Sequence, residues 1–176
     1  GGLTFYGAVI SSIIFDLLYL KYRRMPFWRV IDCVGYGLPA GIAVARLGCL
    51  LNGCCYGTGS SLPWAISFAT AGTGTYHPTQ LYESVGALLI WYLLYRLQPW
   101  RRNYGETFLA CMASYGLLRF FIEFVRAENP VFILGMTTAQ IIGLLMITAA
   151  FVAWKKIAAG RSQRIMPEQQ PIELAK

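Results

Sequence analysis

Charge is what this chain has least of. Only 13% of its 176 residues are charged, against 56% hydrophobic, whereas soluble domains carry about a quarter charged residues. Acidic residues are scarcer still, eight against fifteen lysines and arginines. Histidine occurs once, at position 77. No charged leader with a cleavage site precedes the first apolar stretch, so no signal peptide is read. The chain opens on Gly1-Gly2 rather than Met, and the native N-terminus is expected to be missing. No internal repeat or low-complexity tract is apparent. Paired C-x-x-C spacing is also lacking: the cysteines fall at 33, 49, 54, 55 and 111. With one histidine, this spacing argues against a zinc site, and no metal is expected. A disulfide on an oxidising side stays open, although adjacent Cys54 and Cys55 cannot easily serve one partner.

What is present is long apolar sequence. A bilayer core of about 30 Å needs roughly 20 helical residues. Five stretches qualify, at about 3–20, 27–51, 80–97, 106–125 and 134–154. The expected class is an all-α, polytopic integral membrane helical bundle, with a membrane domain over 1–157 and a polar cytoplasmic tail over 158–176. Gly35, Gly37, Pro39 and Gly41 fall inside the second stretch. They are tolerated where neighbouring helices re-satisfy the backbone and small residues allow close packing.

Twelve of the fifteen basic residues lie in three clusters or the tail: Lys21, Arg23, Arg24 and Arg29; Arg96, Arg101 and Arg102; Lys155, Lys156, Arg161, Arg164 and Lys176. Each cluster follows an odd-numbered stretch. The positive-inside rule then places those ends in the cytoplasm, with the C-terminus inside. The formal charge of +7 brackets apolar spans instead of forming one face, so no nucleic acid is expected; anionic membrane lipid is the counterpart. Residues 52–79 contain no lysine, arginine, aspartate or glutamate. They are rich in glycine and carry Pro63 and Pro78 among Trp64, Phe68 and Tyr76, which reads as an interfacial loop or hairpin on the outer leaflet.

Three arginines escape the clusters: Arg46, Arg119 and Arg126. Within a membrane an arginine is by default a functional-site hypothesis. Arg46 reads either as a snorkelling anchor or as a phosphate ligand, since a guanidinium fork matches phosphate oxygens and keeps its charge. Arg119 and Glu123, four apart, share a helical face with Tyr115; they form a helix-internal ion pair or part of a site. Glu83 falls about a turn from Gln80 and is expected to face inward and pair with an arginine. His77 is either structural or part of the same level. Asp16 and Asp32 are placed near the inner surface.

The motifs, in order, resemble one family, the bacterial prolipoprotein diacylglyceryl transferases. His77-Pro78-Thr79-Gln80-Leu81-Tyr82-Glu83 matches the family's His-Pro-Ser/Thr-Gln-Leu-Tyr-Glu motif in full. Tyr115-Gly116-Leu117-Leu118-Arg119-Phe120-Phe121-Ile122-Glu123 matches its Tyr-Gly-x-x-Arg-Phe-x-x-Glu. Arg46-Leu47-Gly48 and Asn52-Gly53 match part of Arg-x-Gly-Asn-x-x-Asn-Gly-Glu. Gly2-Leu3-Thr4-Phe5-Tyr6-Gly7, Pro63-Trp64-Ala65 and Gly135-Met136-Thr137-Thr138-Ala139-Gln140 resemble further family stretches.

The resemblance implies a bacterial inner-membrane enzyme. It passes a diacylglyceryl group from phosphatidylglycerol to the lipobox cysteine thiol of a prolipoprotein signal peptide, without metal or organic cofactor. Arg46 and Arg119 would bind the phosphate; Tyr115, Glu123, Asn52 and His77 would shape the pocket or orient the arginines, with Gln80 and Glu83 lining it. The chain departs from the pattern at three positions. The family's basic histidine falls on Tyr6, which makes Tyr6 a catalytic candidate, its signature asparagine on Cys49, and its glutamate on Cys54. Those departures motivate a rival, a phospholipid-binding homologue that has lost catalysis.

Overall fold

The computed structural model describes residues 2–126, 131–133 and 135–159. Five long helices account for most of them: α1 (Gly2–Tyr22), α2 (Phe27–Leu51), α3 (Thr79–Leu97), α4 (Glu106–Ile122) and α5 (Thr138–Ala159). Three of the spans, α2, α4 with its 3-10 extension to Val125, and α5, are long and apolar enough to cross a membrane. A two-stranded antiparallel hairpin, β1 (Val131–Ile133) and β2 (Met136–Thr137), precedes α5. The tail from residue 160 onward lies outside the described residues.

The fifth helix starts at Thr138, not at 134 as hydropathy alone predicts. Thr137 Oγ1 accepts from Gln140 N at 3.3 Å, and Gln140 Oε1 accepts from Thr137 N at 3.0 Å. This reciprocal capping box sets the helix start, and the residues before it pair as strand.

Burial is inverted relative to a water-soluble protein. The buried set includes Asp32, Thr79, Gln80, Glu83, Ser84, Thr107, Glu123 and Gln140. Large apolar side chains point outward, among them Phe15, Leu18, Val85, Leu89, Leu145 and Phe151. An apolar exterior of this extent suits lipid as solvent, with polar groups turned to the bundle interior. The chain is a helical membrane protein.

Small residues set the spacing of the helices. A Cβ on Gly116 of α4 would stand 2.8 Å from Gly143 O of α5, and a Cβ on Gly143 would stand 2.8 Å from Gly116 O. The two backbones therefore touch, as small residues permit in membranes. A Cβ on Gly35 of α2 would likewise stand 2.8 Å from Phe108 Cα of α4. Pro39 is buried within α2.

At the end of the bundle where α4 begins, Asp32 of α2 accepts from Gly105 N at 2.8 Å, Phe108 N at 3.1 Å and Arg101 Nη1 at 3.0 Å. Asp32 thus supplies from another helix the anionic cap that the first turn of α4 needs. The cap fixes the rotation of α4, and with it where Tyr115 and Arg119 point.

At the opposite end, residues 52–78 form an irregular platform. Isolated antiparallel bridges join Gly59 and Ile66 to Tyr76, and Gly57 to Arg126. Tyr56 stacks on Phe68 with ring centroids 5.2 Å apart and tilts against Tyr76 at 4.9 Å. A Cβ on Gly57 would collide with Val125 O and come within 2.8 Å of His77 Cβ, so only glycine lets the loop lie against the end of α4. The loop expected from composition is present, pinned to the bundle by its own backbone.

Candidate active site around Glu83

Glu83 is the centre of the site. It sits one turn into α3, its side chain 2% exposed. Its Oε2 accepts from Arg46 Nε at 3.0 Å and from Arg119 Nη1 at 3.2 Å. Its Oε1 accepts from Tyr115 Oη at 2.8 Å. Three helices therefore converge on one carboxylate. The two guanidiniums flank a single oxygen atom although their residues lie far apart in sequence. The Arg46 and Arg119 side chains keep 22% and 17% of their surface accessible. The carboxylate is the buried back wall and the guanidiniums form the front.

Buried ions require partners and satisfied hydrogen bonds, and both carboxylate oxygens of Glu83 have them. Two guanidiniums against Glu83 leave one positive charge in excess. Glu123 stands 3.6 Å from Arg119 Nη2, and Arg126 follows it at the end of the 3-10 turn, adding one charge of each sign. The arrangement holds a surplus matching one phosphodiester anion, with donors geometrically suited to its oxygens.

The other expected residues serve the surroundings. Gln80 Nε2 donates to Cys54 O at 2.6 Å, and Thr79 Oγ1 donates to Cys55 O at 2.8 Å. The start of α3 therefore grips the backbone of the 52–57 turn. Asn52 caps α2, its N–H bonded to Gly48 O and Leu50 O. His77 turns its ring to Tyr82: its Nδ1 lies 3.3 Å from Tyr82 Oη, which also accepts from Trp64 Nε1 at 2.8 Å. The side chain of Tyr6 lies outside the described residues.

Three thiols sit beside this centre. The Sγ atoms of Cys49, Cys54 and Cys55 lie within 4.8 Å of one another. All five cysteines are free. A hydrogen bond from the Cys55 thiol, at 3.3 Å, holds the Cys54 thiol below its ordinary range against a smaller opposing effect of burial, and Asn52 adds a second bond. Burial, followed by the bond to Cys54, pushes Cys55 up to about 11. In sequence these three cysteines invite a metal reading, which their 49, 54, 55 spacing and the single histidine argue against. The turn at Gly53, with φ +66°, is what folds them together. The Asp32 cap was also missed, since a capping residue 73 positions from the helix it caps leaves no local signal.

The sequence profile described as prolipoprotein diacylglyceryl transferase matches residues 1–155. Proteins named phosphatidylglycerol–prolipoprotein diacylglyceryl transferase are similar to this chain in Desulfotalea psychrophila, at 32% identity over 88% of the chain and 60% of the relative. The relative in Aeromonas salmonicida is 35% identical over 88% and 58%, and that in Dehalococcoides mccartyi 36% over 85% and 59%. The chain spans about three fifths of the length of these curated relatives. On the match across nearly all of its helical part, the chain belongs to the prolipoprotein diacylglyceryl transferase family.

Proposed function

We propose that this protein transfers a diacylglyceryl group from phosphatidylglycerol to the lipobox cysteine thiol of a prolipoprotein signal peptide. The observation that carries the reading is the meeting of Arg46 and Arg119 on one oxygen of Glu83. In the step, the cysteine sulfur bonds to the glyceryl carbon that carries the phosphate. The carbon–oxygen bond breaks, and glycerol phosphate leaves with the bonding pair. Charge grows on the departing phosphate, where Arg46 and Arg119 stabilise it; such electrostatic preorganisation is usually the largest catalytic contribution. Tyr115 and Glu83 hold the guanidiniums in place, and Glu123 orients Arg119 from the adjoining turn. Asn52, His77 and Gln80 act through the surrounding loop. The thiol gives up its proton, because the thiolate is the nucleophile. We assign its relay to Tyr6, which stands at the position of the family's histidine.

The same reading sets the protein in the bacterial inner membrane, with all five helices crossing as one domain over 1–157. The basic clusters after α1, α3 and α5 put those ends and the 158–176 tail in the cytoplasm. Residues 52–78 then rest on the outer leaflet, and the arginine pair lies beneath it, open sideways to lipid. The test is thioether formation on a lipobox peptide by protein reconstituted with phosphatidylglycerol. Arg46→Ala and Arg119→Ala are each expected to abolish measurable transfer. Parent-level turnover by either variant removes that arginine from the mechanism. Tight phosphatidylglycerol binding with no transfer by the parent protein overturns the enzyme reading in favour of a binding homologue.

A further inference from the structure

We propose that Cys49, Cys54 and Cys55 form a three-thiolate site for one thiophilic d10 cation, such as a cuprous or cadmium ion. Transfer chemistry uses none of these sulfurs, so the site goes beyond the reaction above and stands independently of it.

The geometry carries the argument. The three Sγ atoms lie within 4.8 Å of one another, and the Cys54–Cys55 pair is 3.3 Å apart. A metal–thiolate bond of about 2.3 Å places the sulfurs of a three-coordinate ion about 4 Å apart, between those limits. No imidazole or carboxylate joins the cluster among the described residues. An all-sulfur donor set selects soft ions and rejects calcium, magnesium and manganese.

The scaffold beneath the thiols is built before any ion arrives. Cys49 projects from the last turn of α2, and Cys54 N bonds back to Cys49 O at 3.2 Å. The carbonyls of Cys54 and Cys55 are fixed by Gln80 and Thr79 of α3. Cys55 takes a left-handed backbone, φ +65°, which costs a non-glycine residue energy and persists only where its surroundings enforce it. That conformation brings its thiol round to Cys54. Arg46 interacts electrostatically with Cys49 and Arg126 with Cys55, so cationic groups stand beside two of the three sulfurs. A bound ion would tie α2 to the loop at the mouth of the arginine site.

The test titrates the whole reduced protein, in detergent and without oxygen, with cadmium ion, following the ultraviolet thiolate-to-cadmium charge-transfer band. A parallel titration delivers cuprous ion from a competing chelator. Saturation at one ion per chain is expected. Each of Cys49→Ser, Cys54→Ser and Cys55→Ser should weaken binding at least about tenfold, since losing even an outer-shell partner of a ligand costs that much, while a Cys33→Ser/Cys111→Ser double variant binds as the parent does. X-ray absorption on the loaded parent should count three sulfur neighbours, a reading that needs no variant to fold. Two or fewer sulfurs, undiminished binding in any of the three single variants, or failure of the reduced parent to take up either ion overturns the proposal.

Discussion

Replacing Glu83 by glutamine keeps the volume of the side chain and removes its charge, which isolates what the carboxylate does. In the parent protein it accepts from Arg46 at 3.0 Å, Arg119 at 3.2 Å and Tyr115 at 2.8 Å. A glutamine offers one acceptor oxygen and turns an NH2 donor toward groups that are themselves donors. At least one of the three partners is then left facing a donor, and two guanidiniums lose their shared counter-ion. Breaking a buried ion pair by removing one partner costs about 3–5 kcal/mol. The arginines retain some access to water, and Glu123 stands near Arg119, so the low end applies, about 3 kcal/mol. At about 1.4 kcal/mol per tenfold change, transfer to a lipobox peptide falls by roughly two orders of magnitude. The assay is kcat/KM for thioether formation in phosphatidylglycerol vesicles, with gel filtration and helical circular dichroism confirming a folded variant. A folded Glu83→Gln protein working at the parent rate would refute the claim that this carboxylate sets the arginine pair.

Arg119→Lys keeps the charge but loses the planar fork; kcat/KM should drop at least about tenfold, and equality with the parent would reduce the role of Arg119 to that of a point charge. Asp32→Asn keeps acceptor capacity yet removes the anion held by two α4 amides and Arg101; thermal unfolding in detergent should show a loss of about 3 kcal/mol. Gly116→Val places a branched side chain against the α5 backbone; the helices must part, at a cost of about 1–3 kcal/mol or more, read as a lowered unfolding temperature. Expression of the complete gene in bacteria depleted of their own transferase should restore lipoprotein maturation, and an Arg46→Ala version should not.

Much of the helical frame was legible in the sequence because lipid imposes a length and an apolar exterior that hydropathy reads directly. The predicted stretches at 27–51 and 80–97 coincide with α2 and α3 to within a residue. Where a local polar device overrides hydropathy, the reading slips, as at Thr137 and Gln140, whose capping box starts α5 four residues late. The pairing of Glu83 with an arginine was anticipated from its helical phase relative to Gln80. That it would hold both Arg46 and Arg119 was not, since nothing in one helix records which others meet it. His77 was read as either structural or part of the arginine level; its bond to Tyr82 beside Trp64 was not legible, because the fold of the 52–78 loop makes it.

The first turns of α3 join the two halves of the site mechanically. Thr79 and Gln80 hold the carbonyls of Cys55 and Cys54, while Glu83, three residues further along, holds the arginines. These contacts span little more than one helical turn, a unit whose backbone bonds keep it nearly rigid. Displacing the 52–57 turn, whether by a bound ion or by a substrate peptide, therefore loads the segment that carries Glu83. Coupling of this kind requires that the segment have two arrangements which both events bias. It gives the metal titration a second use: if cadmium binding changes the susceptibility of Glu83→Gln and parent transfer rates by different factors, the path runs through Glu83, and if both change alike it runs elsewhere.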